Sequence, residues 1–184
     1  MSKYSCINIV KSKAKELARA KGIKHSDALE LLAKEAKFSG YHELAKVAQH
    51  SPMEPRLMAA ALGCTDLKEV IYLDEPYSSF LEAVDDDMSG AIASTNAVDF
   101  TVEDLHVNEA QYDDNTGVLD VDLSFVYEGE LLPDRAYTER EFSINAVVQL
   151  IIRDGQWSLV EDSFAIPDED YGTDHVWDDE AEWR

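Results

Sequence analysis

The densest chemistry in this sequence sits at its C-terminal end. Asp168, Glu169, Asp170, Asp174, Asp178, Asp179, Glu180 and Glu182 are interleaved with Tyr171, Trp177 and Trp183. Solvation alone would call for acids and leave the large rings unexplained. Carboxylates steer and register a protein against a cationic surface, and aromatic rings anchor in a partner's pocket. The competing expectation is that the rings fold back onto their own core and the acids serve solubility. A second acidic set, Asp120 and Asp122, lies in the alternating run VLDVDLSFVY. Residues on one face of a strand repeat about every 6.6–6.8 Å, so these acids and their cross-strand neighbours approximate a row of phosphates. That spacing raises the prospect of DNA mimicry.

Opposite chemistry sits at the other end. Lys11, Lys13, Lys15, Arg19, Lys21 and Lys24 cluster within a short span, and Lys34, Lys37 and Lys46 follow. The first six form the candidate nucleic-acid-binding set, and the first two helices resemble a helix-turn-helix in outline. Few Arg, Asn or Gln residues are placed there to read base edges. Lysines on the wet face of amphipathic helices are also ordinary solvation.

Other chemistries find little support. The five histidines, at 25, 42, 50, 106 and 175, show no i,i+4 pair, so no metal site is expected. DDNTG (113–117) opens like a calcium loop but lacks glycine at the sixth position and an acid at the twelfth. Neither G-x-S-x-G, G-x-G-x-x-G nor a Walker loop occurs. Cys6 and Cys64 form no ligand spacing and are expected to be free and buried. Paired carboxylates are too abundant to mark a glycosidase. No catalytic residue, metal or cofactor is assigned.

Charge divides the chain of 184 residues. Residues 1–50 hold ten Lys/Arg and five Asp/Glu, whereas residues 51–184 hold six and thirty-three, within a total of −22. The first part tolerates anions. The second repels nucleic acid within a Debye length of about 8–10 Å and attracts basic surfaces. Apolar content of 45% supports a core. No apolar run is long enough for a membrane span, and the start MSKYSCINIVKSKAKEL is too polar for a signal-peptide core, so a cytoplasmic protein is expected.

Periodicity says which elements carry these groups. Ile7, Val10, Ala14, Leu17 and Ala18 predict a helix stopped by Gly22. Ser26 is the expected cap of a second helix and Ser39 of a third, which Pro52 ends. A fourth should run from Pro55 to Leu62, with Gly63 behind it. Residues 64–97 suggest a helix on each side of Pro76, with Asp85–Asp87 as a wet turn. From Val98 the period becomes two, with strands joined at DDNTG and at Asp154-Gly155. The third strand, Phe142–Ile152, is apolar enough to be central. The expected fold is α+β: an N-terminal three- or four-helix segment, then an antiparallel sheet with helices packed on one face. Its parts are a basic helical module (1–52), a helical connector (53–97), a sheet domain (98–166) and an acidic aromatic tail (167–184).

The stretch 14–48 resembles a short helical module of uncharacterised bacterial proteins, many plasmid-borne or accessory. The shared pattern is a helix, then Gly22, Ile23, His25, Ser26, Ala28, Leu29, Glu30 and Leu31, then Tyr41, His42 and Leu44. Residues 127–160 resemble the sheet region of other such proteins. The resemblance implies an accessory-genome setting and supplies no catalytic residue.

The sequence therefore suggests a non-enzymatic bacterial interaction protein. Its acidic domain and tail would bind a basic protein partner, as an inhibitor, immunity factor or antitoxin does. Two alternatives remain: a DNA-associated regulator making weak nucleic-acid contact through its N-terminal helices, and a small enzyme or ligand-binding domain with a pocket under the sheet.

Overall fold

The computed structural model describes residues 2–132 and 140–167. Five helices and a 3-10 turn precede four strands: α1 (Cys6–Lys21), α2 (His25–Glu35), α3 (Tyr41–His50), α4 (Pro55–Leu62), the 3-10 helix Leu67–Tyr72, α5 (Asp74–Ile92), β1 (Ala97–Asp113), β2 (Val118–Leu131), β3 (Glu141–Arg153) and β4 (Gln156–Leu159). The strands form one antiparallel sheet in the order β1-β2-β3-β4. This is the expected α+β arrangement, with β3 internal.

Several local signals work as the residues suggest. Gly22 and Gly63 close α1 and α4 in the left-handed region (φ 64° and 80°), donating back to the Ala18 and Ala59 carbonyls. Pro55 opens α4, where its missing N–H costs nothing, and the Glu54 carboxylate caps the Leu57 amide. Both hairpin turns use positive φ, at Gly117 and at the Asp154-Gly155 pair.

Other expectations need correction. The helix α2 begins at His25 behind Lys24, so Ser26 lies inside its first turn and hydrogen-bonds Asp27. Gly40 precedes α3, in place of Ser39. Two carboxylates serve the amides at its start: Glu43, from the first turn of α3 itself, accepts from Ser39 at 2.7 Å, and Glu30, from α2, accepts from Tyr41 at 3.2 Å. Pro76 does not separate two helices. It lies in the first turn of α5, where no intrahelical donor is required, and only a 3-10 turn precedes it. Asp85–Asp87 belong to α5 rather than to a turn.

One buried cluster runs through the described residues from Cys6 and Val10 of α1 to Trp157 of β4. The inner face of β2 and β3 pairs Leu119 with Leu150, Val121 with Val148, Leu123 with Ala146 and Phe125 with Ile144, and all are buried. Phe80 of α5 meets Phe125 edge-on at 5.5 Å. Tyr127 stacks on Phe100 and reaches through to the Asp85 carboxylate at 2.7 Å. The indole N–H of Trp157 donates to the Leu62 carbonyl at 2.9 Å, joining β4 to α4. Cys6 and Cys64 are both free and buried, as the sequence suggests. Burial pushes both thiols up to about 11.

Candidate functional site

With its inner face filled, the sheet leaves its outer face to water. Alternation puts Asp120, Asp122, Ser124 and Glu128 of β2 there, beside Glu141, Ser143, Asn145, Val147 and Gln149 of β3. From β1 come Glu103, His106, Glu109 and Gln111. Glu109 sits directly opposite Asp122, and Glu128 directly opposite Glu141. Like charges in such cross-strand positions are destabilising.

The carboxylates on this face are held by neutral groups. Gln111 Nε2 donates to Glu109 at 2.7 Å, Asn108 Nδ2 to Asp122 at 3.0 Å, and Gln149 Nε2 to Asp120 at 2.7 Å. A carboxamide fixes the acid's orientation and leaves its charge in place. Glu109, Gln111, Asp120, Asp122 and Gln149 line a shallow groove of about 470 Å³ with Val147 and Ser163. Val147 is 38% exposed, an apolar spot among the acids.

A second acidic hollow, about 510 Å³, lies farther along β1 and β2 between Asp99, Glu103, Asp104, Glu128 and Glu130. Bulges in β1 interrupt its pairing between Val98 and Thr101, between Glu103 and His106, and between Val107 and Glu109. Asp99 and Asp104 adopt the left-handed conformation (φ 52° and 51°) within the first two, a state that aspartate tolerates better than most residues. Arg140 enters this hollow and pairs with Glu128 at 3.3 Å. Both partners are well exposed, so the pair contributes little stability.

Among the predicted acids, Asp120 and Asp122 thus share one groove. Their neighbours Glu109, Asn108 and Gln111 were not singled out in the sequence, because bulges break the alternation of β1 and hide its facing; Gln149 was not, because its run in β3, AVVQLII, is nearly apolar on both sides. The tail residues Asp168, Glu169, Asp170, Tyr171, Asp174, Trp177, Asp178, Asp179, Glu180, Glu182 and Trp183 lie outside the described residues.

The cationic set is split. Lys15, Arg19, Lys21 and Lys24 are exposed, and Lys11 is half-buried. Lys13 turns inward, and its ammonium donates to the Ala60 carbonyl at 3.0 Å. Burial lowers its pKa. It therefore ties α1 to α4 and is not presented to a phosphate. The connection between α1 and α2 is residues 22–24, and the two helices share a small buried cluster of Ala14, Ala28 and Leu29. A cavity of about 420 Å³ lies where α1 meets the β3–β4 turn, lined by Lys3, Tyr4, Lys13, Glu16 and Arg153 among others. Arg153 is already engaged, lying 4.8 Å from the Tyr4 ring and donating to the Thr116 and Ile152 carbonyls.

The DDNTG turn spends its first carboxylate on its own backbone and side chains. Asp113 accepts from the Asn115 amide at 2.9 Å and from the Thr116 hydroxyl at 2.8 Å, and these bonds hold its carboxyl below the usual range. Among the described residues, no group of three or more His, Cys, Asp or Glu side chains could hold a metal ion. No helix among them is long and apolar enough to cross a membrane.

No protein-family model matches the chain, and no curated protein matches it significantly. One solved structure is weakly similar, the intermembrane space region of the chloroplast protein ARC6. It shares 11% identity over 66% of this chain and 94% of its own, with a TM-score of 0.31.

Proposed function

We propose that this chain is a non-enzymatic interaction protein whose acidic sheet face docks on a basic protein surface. One observation carries the reading: Glu109, Asp120 and Asp122 are each oriented by a carboxamide, with Glu109 and Asp122 facing one another across the strands. That arrangement keeps negative charge fixed, close and un-neutralised. A face serving stability alone would set lysine or arginine against those acids. Fixed charges facing a cationic surface raise encounter rates and set orientation.

A basic surface that normally holds nucleic acid suits this reading. Strand geometry repeats same-face residues about every 6.6–6.8 Å, with neighbouring strands about 4.7–4.9 Å apart. An array on that scale offers a phosphate-binding protein several carboxylates at once. Inhibitor, immunity or antitoxin-like action follows from such competition, in a bacterial accessory setting and inside the cell. The aromatic tail would add anchors to the same contact. The inward-turned Lys13 favours this reading over a DNA-associated regulator. The packed inner face of the sheet favours it over an enzyme with a pocket there.

The test is a pull-down from bacterial lysate with the full chain, graded by salt and by added duplex DNA. The expected partners are basic proteins that leave at high salt and are displaced by DNA. Partners retained without regard to salt, or none at low salt, would overturn the reading.

A further inference from the structure

The outer edge of β3 is paired over only part of its length. Its last four residues, Leu150–Arg153, pair with β4. The chain then follows the same edge loosely. Val160 donates to the Gln149 carbonyl, and Ala165 exchanges two backbone bonds with Val147, at 2.8 and 3.0 Å. In an antiparallel ladder the backbone groups of every second residue point the same way. Those of Val147 point to the outer edge, so those of Asn145, Ser143 and Glu141 do too. Among the described residues, no strand pairs with the outward backbone groups of Asn145, Ser143 and Glu141.

The molecule's own chain is ill-suited to continue there. Two residues beyond Ala165, in register with Asn145, comes Pro167. Proline has no N–H to give the Asn145 carbonyl, so that backbone bond cannot form. The opposite edge of the sheet is treated differently. Along β1, Lys68 Nζ binds the Val107 and Asn108 carbonyls, the Tyr72 hydroxyl binds the Leu105 carbonyl, and bulges distort the strand. The β2–β3 register, by contrast, runs unbroken from Val118 to Glu128, which leaves the start of β3 regular.

We propose that the outer edge of β3 from Glu141 to Asn145 accepts an extended, cationic segment of the partner protein by strand addition. The proposal rests on the acidic-surface reading and names how the partner engages it. Charge selects the occupant. Glu141 lies on the wet face beside the edge, Glu128 stands opposite it, and the groove of Asp120 and Asp122 adjoins at Val147. Arg140 offsets one of these charges through its pair with Glu128. A second copy would bring another net charge of −22 to the same place, and the residues after Pro167 are themselves rich in acids. An incoming strand with Lys or Arg at alternate positions meets the acids. Its other positions, if apolar, fall on the inner side of the sheet, where Ile144 and Ala146 are already buried and Phe142 is half-buried.

The test uses the full chain, isotope-labelled, and a short synthetic peptide of alternating Lys and Val. Two further peptides carry N-methyl groups on one or the other strand edge. Binding should slow amide exchange at Glu141, Ser143 and Asn145 several-fold, and one N-methylated peptide should lose most of its affinity while the other keeps it. Ser143→Pro removes an outward N–H without touching the β2–β3 ladder and should weaken binding; Ser143→Ala should not. The N-methyl pair decides the matter even if Ser143→Pro fails to fold. Binding with unchanged exchange at these amides, or with both methylated peptides equal, overturns strand addition and leaves the acidic-surface reading standing. Amides already protected in the free chain, or protected by self-association, also overturn it. Absence of any low-salt binding sinks both.

Discussion

The indole nitrogen of Trp157 lies 2.9 Å from the Leu62 carbonyl, so the last strand is tied to the end of a helix ninety-five residues earlier. Trp157 is 5% exposed and also meets Tyr112 edge-on at 5.9 Å. Leu62 needs this donor because it closes α4, where the last carbonyls have no intrahelical partner.

Trp157→Phe keeps an aromatic ring at the site but loses part of the indole's volume and orphans that carbonyl. The expected loss is about 1–3 kcal/mol, read as a lower denaturation midpoint. Helical signal and near-ultraviolet signal should still melt together, because the helices and the sheet share one core.

Alkali should destabilise the fold. The buried thiols of Cys6 and Cys64 rise from an ordinary 9.0 to about 11, so the folded chain holds these protons more tightly than the unfolded one. Their stabilising contribution is full below pH 9.0 and is lost as pH rises through about 11. Burial shifts the phenols of Tyr112 and Tyr127 in the same direction, and for Tyr127 the bond to Asp85 adds to it. Lys13, lowered by burial, acts in the opposite sense. Denaturation midpoints measured across pH 8–11 should fall, and both thiols should resist alkylation at pH 8 until the chain unfolds.

Gly117 is expected to resist replacement. Its φ is +77°, and a methyl there would lie 2.8 Å from the Tyr4 ring and 3.0 Å from the Arg153 guanidinium. Gly117→Ala should cost more than about 1 kcal/mol. Gly63, equally left-handed but with open space around it, should lose less on the same change. Paired thermal melts compare the two.

How much of this was legible in the sequence depends on how local the signal was. Pro55, Gly22 and Gly63 announce helix ends because each acts on its own backbone. The alternation of Leu119 to Tyr127 announces β2 because its two faces meet different media. Pro76 misled because the same residue that breaks a helix interior is harmless in a first turn. Ser26 misled because α2 starts one residue before it, behind Lys24 and with no side-chain cap; Ser39 misled because the carboxylates at the start of α3 come from Glu30 and Glu43, and only the fold brings Glu30 near. The acids Asp120 and Asp122 could be placed on a wet face by period alone. Their carboxamide partners could not: the bulges of β1 shift its facing three times around Asn108, and Gln149 sits in a run of β3, AVVQLII, that is nearly apolar on both sides. Lys13 reads as a surface lysine until α4 is set beside α1.

The facing acids also imply a trade between stability and binding. Glu109→Lys places an ammonium opposite Asp122 and should stabilise the fold by about 0.2–1 kcal/mol, more at low ionic strength. The same change should weaken capture of basic partners. Chemical denaturation and pull-down on one variant read both effects, and their opposite signs are the prediction.

The most direct measurement compares two variants of equal charge change. One neutralises the groove: Glu109→Gln, Asp120→Asn and Asp122→Asn. The other neutralises exposed acids of α5: Glu82→Gln, Asp86→Asn and Asp87→Asn. Recovery of basic partners from lysate should collapse for the first and persist for the second. Equal losses in both would mean that net charge alone draws the partners, and that the fixed carboxylates of the sheet have no particular role.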